Sequence, residues 1–300
     1  MACTEEEFTE LLAGEVHIDM DKLIAISRHG IPDKVRPEVW KYLLGISKID
    51  KSEEERVKKQ QQQDYKEIDK NDSEITKRIR AHLKRYHVYH RDRQSSSSSN
   101  NNGNDNRIKV DFQSVDNRNK IENILISYIN YTNDIDYSFE MLAILGPFIA
   151  TLQSESDIFY CFVSMMKIIE ENLSKESLPS KLSRFIMYFR SVLPELFSHF
   201  EEEEINSNEW ATNWIQNYLS CELPIECVLR LWDTYLSANI GLDLHLFVCL
   251  AILTNFSEEL LELEHSEILS FLQHLPGIDM DQIIAQAYNI RDDIRANNEL

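Results

Sequence analysis

The chain has 300 residues, with 51 acidic against 31 basic side chains, a formal net charge of −20, 43% hydrophobic and 10% aromatic residues. This is the composition of a globular protein long enough to bury a real core, as one large domain or two small ones. So acidic a surface repels phosphate backbones and anionic lipid and speaks against nucleic-acid binding, and seven glycines argue against a turn-rich all-β fold or a glycine-rich dinucleotide site.

Residues 1–30 read as a short helical lead-in, whose acidic start, MACTEEEFTELL, has neither the basic nor the apolar region of a secretory signal. In GIPDKVRPEVWKYLLGI, Gly30 to Ile46, the Gly-Ile-Pro turn sets Pro32 near a helix start. Val39, Trp40, Leu43 and Leu44 then share a helical face, and Gly45 is placed to end it. Residues 50–93 are strongly charged, yet Ile68, Ile75, Ile79 and Leu83 recur four or seven apart, as in an amphipathic helix. The stretch Gln94–Asn106, QSSSSSNNNGNDN, cannot bury apolar surface and reads as a disordered surface insertion. From Phe112 onward the spacing predicts helices near Asn117–Asn130, Tyr137–Leu152, Ser156–Asn172, Leu182–Phe200 and Glu209–Leu219. Others follow near Ile225–Ser237, Leu242–Phe256, Ser266–Leu275 and Met280–Arg295, and Pro147 implies a kink or an early end in its helix. No alternation marks a strand, no repeat has a fixed period, and no apolar run approaches the roughly 20 residues that span a bilayer. The expected fold class is all-α.

Several chemistries lack their residues. There is no H-E-x-x-H, no G-x-x-x-x-G-K loop and no G-x-S-x-G. HLKRYHVYH gathers His82, His87 and His90 with Tyr86 and Tyr89, but no acidic or cysteine ligand joins them, and they read as solvated or interface histidines. Glu201–Glu204 reads as a solvated loop. The cysteines, Cys3, Cys161, Cys221, Cys227 and Cys249, are odd in number and form no C-x-x-C pair. Four lie in apolar contexts, which suits reduced, buried thiols of a cytosolic protein. No metal and no cofactor is expected.

Three motifs occur in order. The first is Gly30, Ile31, Pro32, Arg36, Trp40, Leu43 and Gly45, in the pattern G-I-P-x-x-x-R-x-x-x-W-x-x-L-x-G. The second runs from Asn123 through Tyr128, Ile135, Tyr137 and Met141 into an apolar helix, and the third is Arg230, Trp232 and Asp233 in R-x-W-D. Together they resemble the Rab-GAP/TBC domain family over about residues 25–275, with 1–24 as a lead-in, 94–106 as an insertion and 276–300 as a helical extension. The resemblance implies a single, entirely helical domain that acts on GTP-bound small GTPases of the Rab type in vesicle trafficking, in the cytoplasm, recruited to membranes through its partner.

The family mechanism inserts two side chains into the GTPase site. An arginine from I-x-x-D-x-x-R neutralises charge on the transferring phosphoryl group, and a glutamine from Y-x-Q-G-M orients the attacking water. Ile79, His82 and Arg85 match the first motif with histidine in place of the aspartate; a register four residues earlier, Ile75, Arg78 and Ala81, fits less well. In the second, Phe139 stands for the glutamine and Glu140 for the glycine. Phenylalanine cannot hydrogen-bond a water, and a carboxylate is repelled by γ-phosphate oxygens. Two expectations therefore stand together: a GTPase activator working through Arg85, or a TBC-fold binding and scaffold protein without catalysis. Gly30, Pro32, Arg36, Trp40, Tyr137, Met141, Arg230, Trp232 and Asp233 are expected to hold the fold, with Arg36 and Asp233 as candidates for a buried pair.

Overall fold

A computed structural model describes residues 4–14, 17–96, 110–132, 135–237 and 241–298, with the backbone alone at 87–96 and 297–298. Among the described residues every regular element is a helix, and extended pairing is limited to an isolated antiparallel bridge between His17 and Asp50. The chain forms two compact units, one of Met1–Ile168 with Trp232–Asn239, the other of Ile169–Leu231 with Ile240–Leu300.

In the first unit, α1 (Glu5–Leu12) opens on a capping box in which the Thr4 and Glu7 side chains each accept the other's backbone N–H. Asp19 caps α2 (Met20–Ser27) by accepting from the Lys22 amide. Helix α3 (Arg36–Leu43) carries Pro37, not Pro32, in its first turn. It ends at Gly45, whose φ of 72° lets the Gly45 amide reach Tyr42 O at 3.0 Å and the Ile46 amide reach Lys41 O at 2.8 Å, the paired bonds of a Schellman cap.

The amphipathic stretch at 50–93 is two helices, α4 (Lys51–Glu67) and α5 (Ser73–Ser96). The reason is local. Asp69 accepts from the Asn71 amide at 3.0 Å, and Asp72 accepts from the Glu74 and Ile75 amides at 2.9 and 2.8 Å, so short polar side chains take the backbone bonds a continuous helix would need. Ile79 and Leu83 of α5 are fully buried. Because α5 runs to Ser96, the start of the expected insertion at Gln94 is helical; residues 97–106 lie outside the described residues. Three further helices follow: α6 (Val115–Thr132), α7 (Phe139–Thr151) and α8 (Glu155–Lys175). Helix α7 continues past Pro147, so of the kink or early end expected there the early end does not occur. Helices α5, α6 and α7 pack mutually.

In the second unit, α9 (Leu178–Val192) and α10 (Pro194–Glu202) replace the single helix expected over Leu182–Phe200. Pro194 has no N–H to continue the ladder and forces Leu193 out of helical conformation, at φ −129° and ψ 60°. After α11 (Ser207–Gln216) and α12 (Ile225–Ser237), whose last residues belong to the first unit, a 3-10 turn at Gly241–Leu244 leads into α13 (His245–Asn255). Then come α14 (Ser257–Leu260), α15 (His265–Gln273) and α16 (Met280–Asn298). Every residue of α13 from His245 to Leu253 is buried, and α9, α11 and α16 pack around it. Trp210 anchors an aromatic cluster with Phe185, Phe189, Phe200 and Trp214. Cys161, Cys221, Cys227 and Cys249 are buried and form no disulfide among the described residues, and Cys3 lies outside them.

Candidate functional site

The first unit is organised on one carboxylate. Asp233 is fully buried and accepts from the Ile31 amide at 2.9 Å, the Trp40 indole N–H at 2.8 Å, and Arg36 Nε and Nη2 at 3.1 and 3.2 Å. Arg36 also donates to Ile31 O at 2.5 Å and to the Asp33 carboxylate. Burial works against the Arg36 charge, but Asp233 and Asp33 together outweigh it and raise the guanidinium further above its ordinary range. Trp40 stacks on Trp232 at 6.3 Å, and Phe148 meets both rings edge-on at 5.6 Å. Gly30, at φ 99°, takes a backbone conformation that side-chain-bearing residues avoid just before the Ile31 amide that reaches Asp233. Arg36, Trp40 and Asp233 are buried and spend their polar groups on one another and on the Ile31 backbone, so the hub is built to hold helices and not to meet a ligand.

The surface beside it belongs to α5 and the start of α7. Three devices fix α5. Arg80 grips Glu122 of α6 with two hydrogen bonds of 2.7 and 2.9 Å. Arg78 donates to Asp136 at 2.8 Å and to Tyr137 O at 2.5 Å, fastening the segment before α7. Tyr86, fully buried, lies against Gly146 of α7, where even a β-carbon would come within 1.8 Å of its hydroxyl oxygen. Arg85, one residue earlier, is exposed and among the described residues has neither a hydrogen bond nor a carboxylate partner; its guanidinium rests 5.8 Å above the centre of the Phe139 ring.

His82, one turn before Arg85, meets Phe139 edge-on at 5.4 Å, and its Nδ1 lies 3.1 Å from the Tyr137 hydroxyl. Partial burial lowers its pKa, and Arg85 and Arg78 lower it further against the opposing pull of Glu140. The imidazole is thus neutral at pH 7 and cannot serve Arg85 as a carboxylate would. Tyr137 and Met141 are buried, and burial pushes the Tyr137 phenol up, out of reach as a proton donor to solvent. Phe139 and Glu140, both partly buried, form the first turn of α7, where the acidic side chain suits the positive helix end.

Arg85, Phe139 and Glu140 are therefore brought together; Arg78, which the earlier register sets at the aspartate position with Ala81 at the arginine position, is committed to Asp136 and Tyr137. Arg230 lies in the second unit, where it pairs with Asp281 of α16 at 2.8 Å. Gly146, Arg78 and Arg80, which position α5, were not singled out as site residues from the sequence; an isolated glycine inside an apolar helix was the available signal for the first. Of the histidine cluster, the side chains of His87, Tyr89 and His90 lie outside the described residues. Among the described residues no group of three His, Cys, Asp or Glu side chains is arranged to hold a metal ion.

A sequence profile of the Rab-GTPase-TBC domain matches residues 33–261. The chain belongs to this family. The span holds α5, the start of α7, and the Asp233 hub apart from Ile31, so the surface just described is a TBC-domain surface. The human protein TBC1 domain family member 22A is 25% identical over 317 residues, covering 95% of this chain and 59% of its own length. The chain thus spans about three-fifths of the curated relatives it matches. In fold it is similar to the Ypt/Rab-GAP domain of Gyp1p, with a TM-score of 0.72, 21% identity and 96% of each chain covered. It is also similar to the Chlamydomonas flagellar RabGAP TBC domain, with a TM-score of 0.59, 19% identity, and 94% of this chain and 88% of that one covered. No helix among the described residues is long and apolar enough to cross a membrane.

Proposed function

We propose that this TBC domain acts on a GTP-bound small GTPase of the Rab type and accelerates GTP hydrolysis with Arg85 as its arginine finger. The observation that carries the reading is the contrast along α5: Arg78 and Arg80 are tied to carboxylates, whereas Arg85 is exposed and held by an aromatic face alone. Leaving such a ring costs on the order of 0.5–1 kcal/mol. Releasing Arg78 or Arg80 would break two hydrogen bonds in each case, to Asp136 and Tyr137 O or to Glu122. Among the α5 arginines whose side chains are described, Arg85 is therefore the one that can reach a partner at little expense.

In the partner's site its guanidinium neutralises charge that develops on the transferring γ-phosphoryl oxygens, a contribution of about 10³–10⁵ in rate for arginine fingers. Phe139 supplies no hydrogen bond to water, so orientation of the nucleophile falls to the GTPase's own glutamine. The protein acts in the cytoplasm, in vesicle trafficking, and reaches membranes through its partner.

The second reading is a TBC-fold binding or scaffold protein that holds a GTPase without accelerating it. Phe139 and Glu140 in the glutamine-glycine positions favour it. Single-turnover GTP hydrolysis across a panel of Rab-type GTPases separates the two. Acceleration of at least one member supports the activator; binding of a GTP-loaded member with no acceleration anywhere supports the scaffold.

A further inference from the structure

The second unit carries a cleft of about 510 Å³ whose charge runs against that of the chain. In a protein of net charge −20, its walls hold four cations, Lys175, Lys181, Arg184 and Arg295, against two carboxylates, Glu176 and Asp243, an excess of two positive charges. Lys181 is the unusual member. It is 93% buried, being 7% exposed, and donates a hydrogen bond of 2.7 Å to a neutral acceptor, Asn172 Oδ1, while a carboxylate oxygen, Glu176 Oε2, stands 3.9 Å away. That carboxylate is committed to Arg184, which it binds through Nε at 3.0 Å and through Nη2. Asn172 is buried and oriented in turn by donating to Asp243 at 2.9 Å. A buried ammonium with three donors and one close, uncharged acceptor is poorly compensated. Burial accordingly lowers its pKa. Tyr188 and Phe247, stacked at 5.8 Å, supply an apolar part of the lining, with the Arg184 guanidinium 5.9 Å from the Tyr188 ring centre. The volume falls within the range of about 300–1,000 Å³ typical of small-ligand sites.

We infer that this cleft binds a phosphate monoester, whose two negative charges match the two unbalanced cations and whose oxygens complete the hydrogen bonding of Lys181, with the organic part against Tyr188 and Phe247. The ester can be a soluble metabolite or a lipid headgroup; the recognition chemistry is the same.

Calorimetric titration of the full chain with inorganic phosphate and with glycerol 3-phosphate tests this. Saturable one-to-one binding is expected, tighter for the ester. Lys181→Met should weaken it by about tenfold or more, the loss of a charge-assisted bond, and should also lower the melting temperature, because it leaves the buried Asn172 Oδ1 without its donor. Arg295→Glu, at an exposed position, should also weaken binding and covers the case in which Lys181→Met fails to fold. Flotation with phosphatidylcholine vesicles, with and without phosphatidic acid, separates the sources. Capture by phosphatidic acid that is lost on either substitution identifies a headgroup; binding of glycerol 3-phosphate without capture identifies a soluble ester. No saturable binding of any probe at millimolar concentration, or binding unchanged by both substitutions, would overturn the inference.

Discussion

Gly146→Ala is the sharpest test of how α5 is held. A β-carbon at this position would lie 1.8 Å from the Tyr86 hydroxyl oxygen and 2.6 Å from its Cζ, well inside any tolerable contact. Tyr86 cannot swing aside, because it is fully buried and meets Phe112 edge-on at 5.0 Å. The helices α5 and α7 must therefore separate. Overpacking of this kind costs about 1–3 kcal/mol. Alanine is intrinsically better than glycine in a helix by about 1 kcal/mol, which offsets part of the cost. A net loss of up to about 2 kcal/mol is expected, read as a lower urea midpoint by far-ultraviolet circular dichroism. Adding Tyr86→Phe removes the 1.8 Å contact and leaves the 2.6 Å one, so it should restore only part of the loss. A Gly146→Ala protein more stable than the parent by about 1 kcal/mol would show helix propensity acting alone and would refute the contact.

Other expectations concern the two cores. Trp232→Ala should cost roughly 3–5 kcal/mol, as measured by denaturant unfolding, because the indole is fully buried between Trp40 and Phe148. Asp233→Ala should cost about 3–5 kcal/mol in the same assay, since it strands the Arg36 charge and two further donors. His245, wholly buried with its Nε2 2.8 Å from Trp214 O, has its pKa pushed down to about 4 by burial. The unfolded chain thus binds the proton first, so the stability His245 confers is complete above about pH 6.5 and is lost as pH falls toward 4, by roughly 3 kcal/mol in total. His245→Gln should flatten that part of the stability profile; an unchanged difference between pH 7 and pH 4 would contradict it.

The helical architecture was legible because apolar residues keep a spacing of three to four throughout; the bounds of α12 read from the pattern coincide with those observed, Ile225–Ser237. What was missed lay in competing local chemistry. The Asp69–Asp72 run offers side-chain acceptors that outweigh a continuous helix, and Pro194 sits between apolar residues whose periodicity carries straight across it. At the site, the motif spacing puts Arg85 and Phe139 forward as candidates but says nothing of their distance. The motif names Arg85, but it could not show that Arg78 and Arg80 are tied down, because their partners lie far along the chain: Asp136, Tyr137 and Glu122. Likewise, Arg36 and Asp233, 197 positions apart, are nameable as a pair, yet the convergence of Trp40 and the Ile31 amide on the same carboxylate exists only in three dimensions.

The central claim is that Arg85 is a working finger, and single-turnover GTP hydrolysis by a GTPase the protein accelerates tests it most directly. Arg85→Ala should reduce the stimulated rate by at least about a hundredfold while changing affinity for the GTP-loaded partner far less, because the contact strengthens mainly in the transition state. Arg85→Lys should recover little, since an ammonium lacks the planar fork of the guanidinium. A GTPase accelerated equally by the parent protein and by Arg85→Ala would contradict the assignment.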